Sequence, residues 1–270
     1  MTNSQPFSSS LFCSECQRYI GAADFCVFCK TPRPADQRLP QAGQPLWRAG
    51  CGGRASDVLE LPGAVILADQ GGMLYAVEPN LGHCLWSFDC GGDLRPGLQS
   101  QGRRLYAALR RGEVLALDAP EAGGEAREAW RCALGAQAGA LAVAGERIYL
   151  GYMEGTLHAL IDAGDAPQEA WSGPLGHAIT AAPALWHALA LVVTRFHEGR
   201  LLALDTTHQG ALYWQKELGE RGVACRAVTL PGRGANAAQA LALAITDSGR
   251  VLGYRLPDGA PSGLGTTVEG

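Results

Sequence analysis

The sequence has few charged residues, little lysine and no long apolar run. Only 18% of its 270 residues are charged, and Lys+Arg 22 against Asp+Glu 26 gives a formal net charge of -4. No basic surplus is available to neutralise phosphates, which disfavours nucleic-acid binding by the whole chain. The longest apolar stretch, Ala181–Val193, is interrupted by proline and histidine and is shorter than the roughly 18 residues of a membrane span. We therefore expect no membrane role.

The first residues, MTNSQPFSSSLFC, lack the cationic start and the apolar run of a secretory signal. This predicts a cytoplasmic protein. The chain has nine cysteines, and an odd number in a cytoplasmic protein argues against a disulfide framework. We therefore expect the thiols to serve another purpose.

Four of the cysteines lie close together, as Cys13, Cys16, Cys26 and Cys29. The spacing C-x2-C-x9-C-x2-C brings two pairs of thiolates onto one ion and is typical of a closed, tetrahedral structural zinc site. A segment of about 30 residues with so few apolar side chains needs the metal in order to fold. It resembles the short zinc ribbon found at the ends of many bacterial proteins, so we predict one Zn²⁺. A redox dithiol or a rubredoxin-type iron site is the alternative.

This pattern divides the chain into a ribbon, residues 1–33, a proline-containing linker, residues 34–45, a large domain, residues 46–258, and a C-terminal tail, residues 259–270. The first 45 residues carry a net charge of only about +1, so a protein contact or a folding role suits the ribbon better than nucleic-acid binding.

The large domain repeats one unit five times. Tryptophans recur every 39 to 44 residues, and each is followed four residues later by Leu or Cys and then by Gly. The five tryptophans are Trp47, Trp86, Trp130, Trp171 and Trp214. A repeat of this length with several short strands is typical of a β-propeller blade.

Each unit also holds two alternating apolar segments around a glycine, which predicts a β-hairpin because glycine supplies the positive φ of a tight turn. The five turn glycines are Gly72, Gly112, Gly155, Gly199 and Gly249. The first Trp segment has no hairpin before it and the last hairpin has no Trp after it. We therefore predict an all-β, five-bladed β-propeller of four-stranded blades, closed when the N-terminal Trp47 strand completes the last blade; an open or dimer-completed ring is the alternative.

The repeat resembles the PQQ-like, or quinoprotein-type, propeller repeat, in which a strand ending A-x-D is followed by T-G and then W. The segments YAVEPNLGHCLW and LLALDTTHQGALYW carry this pattern best, and the likeness covers roughly residues 46–258. Quinoprotein dehydrogenases of this type are exported, have more blades and hold the quinone with calcium and two adjacent cysteines. This chain has no Cys-Cys dipeptide, so no PQQ is expected.

Few residues of the propeller suggest chemistry. Some five-bladed propellers are glycosidases with paired carboxylates in the central channel, and the innermost strands offer Asp57, Glu60 and Asp93. The dipeptide His197-Glu198 lacks the second histidine of a zinc-protease helix and is interpreted as a turn. We expect no catalytic or cofactor-binding residue, and a metal site only at the four N-terminal cysteines.

The composition and the repeat together favour a non-catalytic scaffold or adaptor that binds an unidentified protein partner through the propeller faces and the ribbon. The insertion Pro231–Ala240 is the first candidate for a contact loop. The alternative is an enzyme, glycosidase-like or other, or a small-ligand binder that uses the central channel.

Overall fold

Short strands joined by tight turns make up the protein. The computed structural model describes residues 15, 25–32, 47–95, 97–121, 124–135, 137–195, 198–231 and 239–267. Within these ranges the chain forms twenty β-strands and no helix. Their bounds are Ala55–Leu61 (β1), Ala64–Asp69 (β2), Met73–Val77 (β3), Cys84–Asp89 (β4), Gln99–Gln101 (β5), Arg104–Ala108 (β6), Glu113–Asp118 (β7), Arg127–Ala133 (β8), Ala138–Ala144 (β9), Arg147–Tyr152 (β10), Thr156–Asp162 (β11), Pro167–Pro174 (β12), Ala184–Trp186 (β13), Leu189–Val193 (β14), Arg200–Asp205 (β15), Ala211–Glu217 (β16), Gly222–Leu230 (β17), Gln239–Thr246 (β18), Arg250–Arg255 (β19) and Pro261–Thr267 (β20).

The strands of the described ranges form five four-stranded sheets, each from four consecutive strands in the order in which they occur along the chain. The first sheet is β1–β4, the second β5–β8, the third β9–β12, the fourth β13–β16 and the fifth β17–β20. Neighbouring strands pair antiparallel, as in β2 with β3 and β10 with β11. The all-β class predicted from the sequence is confirmed.

Glycines at the central hairpin turns explain the strand breaks. Gly72, Gly112 and Gly155 have φ values of 102°, 96° and 89°, a region that side chains other than glycine rarely adopt. Gly199 differs, because its φ is not positive. A Cβ at Gly199 would lie 2.3 Å from the carbonyl oxygen of Glu220, so close backbone approach requires glycine there.

The prediction that the Trp47 strand completes the last blade is wrong. The outer strand of the fifth sheet is β20, which belongs to the segment that the sequence analysis assigned to the C-terminal tail. A short turn connects β19 to β20: Arg255 N–H donates to Ala260 O at 2.7 Å, and Gly259 N–H donates to Arg255 O at 2.8 Å. Closing this short hairpin costs less chain entropy than recruiting a strand from the other end of the chain.

The chain forms two compact units, and their boundary runs through the second sheet. One unit contains Met1–Leu105 and Leu117–Glu128, and therefore the first sheet. The other contains Tyr106–Ala116 and Ala129–Gly270, and therefore the third, fourth and fifth sheets.

In the second unit, apolar side chains lie between sheets that follow each other in sequence. Tyr149, Leu157 and Ala159 of the third sheet pack on Val192 and Leu202 of the fourth, and all five are at most 5% exposed. A similar core lies between the fourth and fifth sheets, formed by the buried residues Leu191, Val193, Leu201, Ala203, Cys225, Ala242 and Ala244. Burial of both sheet faces provides most of the stabilisation of such an array.

A β-bulge precedes the repeat tryptophan in three outer strands. The register shifts where Ala76 pairs with Trp86, where Ala159 pairs with Trp171 and where Ala203 pairs with Trp214. The extra residue lies directly before each tryptophan. Bulges redirect side chains, and in the third and fourth sheets the indole that follows the bulge contacts the next sheet, at Gly210 and Gly259.

Among the described residues, no helix is long and apolar enough to cross a bilayer.

Candidate functional site

Two of the repeat tryptophans, Trp171 and Trp214, dock on glycines of the following sheet. A Cβ at Gly210 would lie 2.5 Å from Trp171 Cζ3, and a Cβ at Gly259 would lie 2.8 Å from Trp214 Cδ2. Both glycines also have positive φ, 73° and 70°. At these two positions the recurring Trp and Gly therefore form contacts between sheets rather than a reactive centre.

The Trp47 indole makes the same kind of contact with the first sheet. A Cβ at Gly82 would lie 2.7 Å from Trp47 Cγ, and Trp47 Nε1–H donates to Pro79 O at 2.6 Å. Trp214 Nε1–H donates in the same way to Pro257 O at 2.6 Å. Trp47 thus occupies the position of an outer-strand tryptophan of a sheet preceding the first one.

The buried indole N–H of Trp171 makes no hydrogen bond within the described part of the chain. In the fourth sheet, Thr206 occupies the turn position that Pro79 occupies in the first. Its carbonyl oxygen accepts a hydrogen bond from Arg147 Nη1 at 3.0 Å. The indole N–H groups of Trp47 and Trp214, by contrast, find a carbonyl acceptor, as buried polar groups normally do.

Cys26 and Cys29, two of the predicted zinc ligands, lie on a tight turn that we call the knuckle, residues 25–32. Cys26 N–H donates to Thr31 O at 2.9 Å, Lys30 N–H donates to Cys26 O at 2.8 Å, and Lys30 has a positive φ of 60°. Cys26 is fully buried and Cys29 is exposed. Cys13 and Cys16 lie outside the described residues, so the complete ligand set is not described.

The knuckle packs on the first sheet. Phe25 and Val27 are 1% and 2% exposed and share a cluster with Tyr75, Val77 and Cys84. On the other side of the turn, Lys30 Nζ donates to the carbonyl oxygen of Leu85 at 3.2 Å. The knuckle is therefore part of the first unit's core.

A buried polar cluster at the end of β2 was missed by the sequence analysis. Asp69 is 2% exposed; Tyr75 O–H donates to its Oδ2 at 3.3 Å, and Met73 N–H donates to its Oδ1 at 3.0 Å. Gly52 N–H in turn donates to Tyr75 Oη at 3.1 Å. Burial, with a further contribution from the Asp69 carboxylate, raises the pKa of Tyr75 to about 12. The cluster ties the segment before β1 to β2 and β3, and no sequence pattern marks Asp69 as buried.

The sequence analysis considered Asp57 as a catalytic carboxylate, but the structure gives it a structural role. Its Oδ2 accepts hydrogen bonds from Gly97 N–H and Leu98 N–H, both at 2.7 Å, and its Oδ1 accepts one from Val58 N–H at 2.9 Å. The carboxylate thus holds the chain that leads into β5. Glu60 and Asp93, the other two candidates, have exposed side chains.

Two further predicted features fall at least partly outside the described residues. His197 is outside them, while Glu198 lies in the turn that the sequence predicted. Of the insertion Pro231–Ala240, residues 232–238 are outside them, so its contact role stays a prediction.

The remaining cysteines lie in or beside the sheets. Cys90, at the repeat position that leucine fills elsewhere, is fully buried, and Cys51 is half-buried. Cys225 lies between the fourth and fifth sheets, its Sγ 3.2 Å from Leu191 O, and burial raises the pKa of its thiol to about 11. These environments suit apolar packing rather than nucleophilic chemistry.

An exposed apolar pair is present on the outer strand of the fourth sheet. Leu212 and Tyr213, the two residues before Trp214, are 53% and 55% exposed. The corresponding pair of the third sheet is Glu169-Ala170 and suits contact with water. In the first sheet the pair is Cys84-Leu85, and the knuckle covers it.

A comparison with protein families shows to which family the chain belongs. The model of the PQQ-type family described as outer membrane protein assembly factor BamB matches residues 70–260, more than half of the chain. The chain belongs to this family. Membership in the BamB family confirms the PQQ-like repeat and the β-propeller fold that the tryptophan and glycine spacing predicted.

Solved structures agree on the fold. BamB from Moraxella catarrhalis has a TM-score of 0.61 and 16% identity over 80% of this chain. A chain of the mitotic checkpoint complex has a TM-score of 0.67 and 10% identity over 83%, and quinohemoprotein alcohol dehydrogenase from Comamonas testosteroni has 0.63 and 11% over 81%. Identities this low establish the fold alone.

The chain is shorter than these structural neighbours. It covers 65% of the length of the Moraxella BamB chain, 68% of the checkpoint-complex chain and 43% of the dehydrogenase chain. Among the curated proteins, none matches this member of the BamB family.

Proposed function

We propose that this protein is a non-catalytic interaction scaffold in which each four-stranded sheet is one of five blades. The matched family is described as an outer membrane protein assembly factor. The observation that carries the proposal is the exposed pair Leu212-Tyr213. A protein partner would bury it, and aromatic side chains that can be fully buried at the centre of an interface often contribute most to binding.

Comparison among the sheets gives the pair its significance. Single exposed apolar residues need no explanation, but here the equivalent pair of the third sheet is Glu169-Ala170, with no large apolar side chain, and that of the first sheet is covered by the knuckle. β16 is also an outer strand, whose unpaired backbone groups can accept an additional strand from a partner. We infer that the partner contacts the fourth sheet at this edge.

A matched pair of substitutions tests this contact. Tyr213→Glu and Ala170→Glu place the same charge on the bulge residue of the fourth and of the third sheet. We expect Tyr213→Glu to reduce the co-purified partner at least tenfold when the tagged protein is isolated from its own host and quantified by mass spectrometry. Ala170→Glu should retain the partner. Equal retention by both variants would exclude this edge as the contact.

The ribbon forms part of the proposed scaffold. We propose that Cys13, Cys16, Cys26 and Cys29 hold one structural Zn²⁺. The tight turn with a positive φ at Lys30 and the thiolate-only donor set fit such a site, because zinc accepts four thiolates in a closed tetrahedral shell. Free thiols in this number are compatible with a cytoplasmic location, which we retain as part of the proposal.

The alternative, an enzyme or a small-ligand binder that uses the central channel, is not favoured. The similarity to a quinohemoprotein dehydrogenase concerns the fold, and we propose that no PQQ is bound. The hydrogen bonds that Asp57 accepts from three backbone N–H groups support a structural role for this carboxylate.

The roles of Asp57 and Glu60 can be separated experimentally. Asp57→Ala leaves the Gly97 and Leu98 N–H groups without their acceptor, so we expect a loss of about 2 kcal/mol in the free energy of unfolding. Because Glu60 is exposed, we expect Glu60→Ala to change the free energy of unfolding by at most about 0.5 kcal/mol. Urea denaturation measures both values. A hydrolase that depended on this pair would instead lose turnover in both variants with little change in stability.

A further inference from the structure

The N-terminal segment covers a sheet face that would otherwise be exposed. On the first sheet, Leu67, Tyr75 and Val77 belong to one apolar cluster, and Tyr75 and Val77 are at most 1% exposed. Their cover consists of the knuckle and the segment 47–52, which together we call the cap. The cap residues in contact with the sheet are Phe25, Val27, Trp47, Ala49 and Cys51.

The same face of other sheets is covered by a preceding sheet. In the third sheet the equivalent positions are Leu150, His158 and Leu160, and the buried Leu150 and Leu160 share a core cluster with the second-sheet residues Tyr106 and Val114. The cap takes that place on the first sheet, and Trp47 stacks on Gly82 as Trp171 stacks on Gly210. The cap is thus a substitute for a preceding blade.

Few backbone contacts hold the cap together. In its described residues, one antiparallel bridge joins Phe25 to Pro32, and one parallel bridge joins Phe25 to Ala49. A sheet holds its strands through many such pairs, as β10 and β11 do over five residue pairs. A short turn with so few contacts needs a cross-link or a metal to keep one conformation.

We propose that metal binding at the knuckle holds the cap on the first sheet, so that loss of the metal uncovers the apolar face of β3 and β4. This inference rests on the zinc site of the proposed function. It assigns the ribbon to the propeller itself, because Phe25 and Val27 are used in an internal contact and are not accessible to a partner.

The reactivity of two cysteines tests this proposal directly. Cys84 on β4 is 6% exposed and lies under the knuckle, whereas Cys225 is 1% exposed and lies between the fourth and fifth sheets. Both are protected from thiol reagents as long as their surroundings stay packed. Opening of the cap exposes Cys84 and leaves Cys225 protected.

The experiment labels the full chain with a maleimide before and after removal of the metal by a chelator. Native mass spectrometry counts the metal, and peptide mapping measures the labelling rate at each cysteine. We expect the rate at Cys84 to rise at least tenfold and the rate at Cys225 to change less than twofold. Cys29→Ser should have the effect of the chelator, and Cys132→Ser, outside the ribbon, should not.

Each of the other possible results of this experiment would contradict one particular statement. If the isolated protein holds no metal, the proposed zinc site is wrong. If it holds the metal but Cys84 stays protected after chelation, the site stands and the metal-dependent cap is wrong. If Cys84 and Cys225 become reactive together, the metal supports the whole fold, and a local cap is again excluded.

Discussion

At the scale of single residues, glycine and tryptophan carry most of the structural information. The indoles of Trp47, Trp171 and Trp214 each lie against a glycine, where the close approach leaves no room for a Cβ. The same glycine adopts a backbone angle that other residues reach only with strain. Two independent constraints therefore act on one position, and they can be separated by substitution.

Gly210 and Gly219 allow that separation, because both have φ 73° and only Gly210 faces an indole. We expect Gly219→Ala to cost about 1 kcal/mol, from backbone strain alone. Gly210→Ala adds a clash with Trp171 and should cost about 3 kcal/mol. Urea denaturation of both variants gives the difference. Equal losses would mean that the tryptophan contact contributes nothing.

The Asp69–Tyr75 cluster predicts a dependence of stability on alkaline pH. Tyr75 loses its proton at about pH 10 when unfolded and, with its raised pKa, at about 12 when folded. Between these values the folded state binds more protons, so the free energy of unfolding falls as pH rises.

Tyr75→Phe tests this dependence. The variant should be less stable at neutral pH, because Asp69 loses a buried donor, and its stability should fall less steeply between pH 10 and 12. Chemical denaturation at a series of pH values measures the slope, with the exposed Tyr213→Phe as control. An unchanged slope in Tyr75→Phe would show that this phenol does not set the dependence.

At the scale of the strands, local turns explain the hairpins. More than one segment of the chain can compete to pair with an edge strand. Both the Trp47 segment and Pro261–Thr267 could fill the outer position of the fifth sheet. The hydrogen bonds of an antiparallel ladder use backbone groups that every residue except proline has, so sequence hardly distinguishes the two candidates. The short connection after β19 decides for β20.

Removal of β20 tests this assignment. A chain ending after Ala260 keeps Gly259 under Trp214 but loses the outer strand and the hydrogen bond from Ser262 Oγ to Gly253 O. We expect a lower Tm and more aggregation, since β19 becomes an open edge. A chain ending after Thr267 is the control. Equal Tm values would favour completion of the sheet by another segment.

At the scale of the whole molecule, the repeat and the family match describe a propeller, and the N-terminal cysteines distinguish this chain within it. We predict one zinc ion per chain and no quinone in protein isolated from its own host. Elemental analysis measures the metal, and visible absorbance reports a quinone. A bound quinone would favour the alternative that the protein is an enzyme. Iron in place of zinc would favour a rubredoxin-type site at the four cysteines.

Much of the fold could be predicted from single residues, and much less of the candidate site. Gly72 and Gly112 mark their turns because the positive φ is a property of the residue itself. Asp57 is different: its backbone partners at Gly97 and Leu98 lie about 40 residues away, so its structural role appears only when the chain is folded. Leu212 and Tyr213 are part of an ordinary strand pattern until exposure is known.

The amino-acid sequence alone determined the hairpins and the repeat length, because both depend on residues close together along the chain or on one strongly preferred backbone angle. Only the tertiary structure decided which strand ends the fifth sheet, that the knuckle covers the first sheet and that Leu212-Tyr213 remains exposed. These outcomes depend on which distant surfaces meet. Burial of apolar surface stabilises any well-packed contact, whatever the particular sequence that forms it.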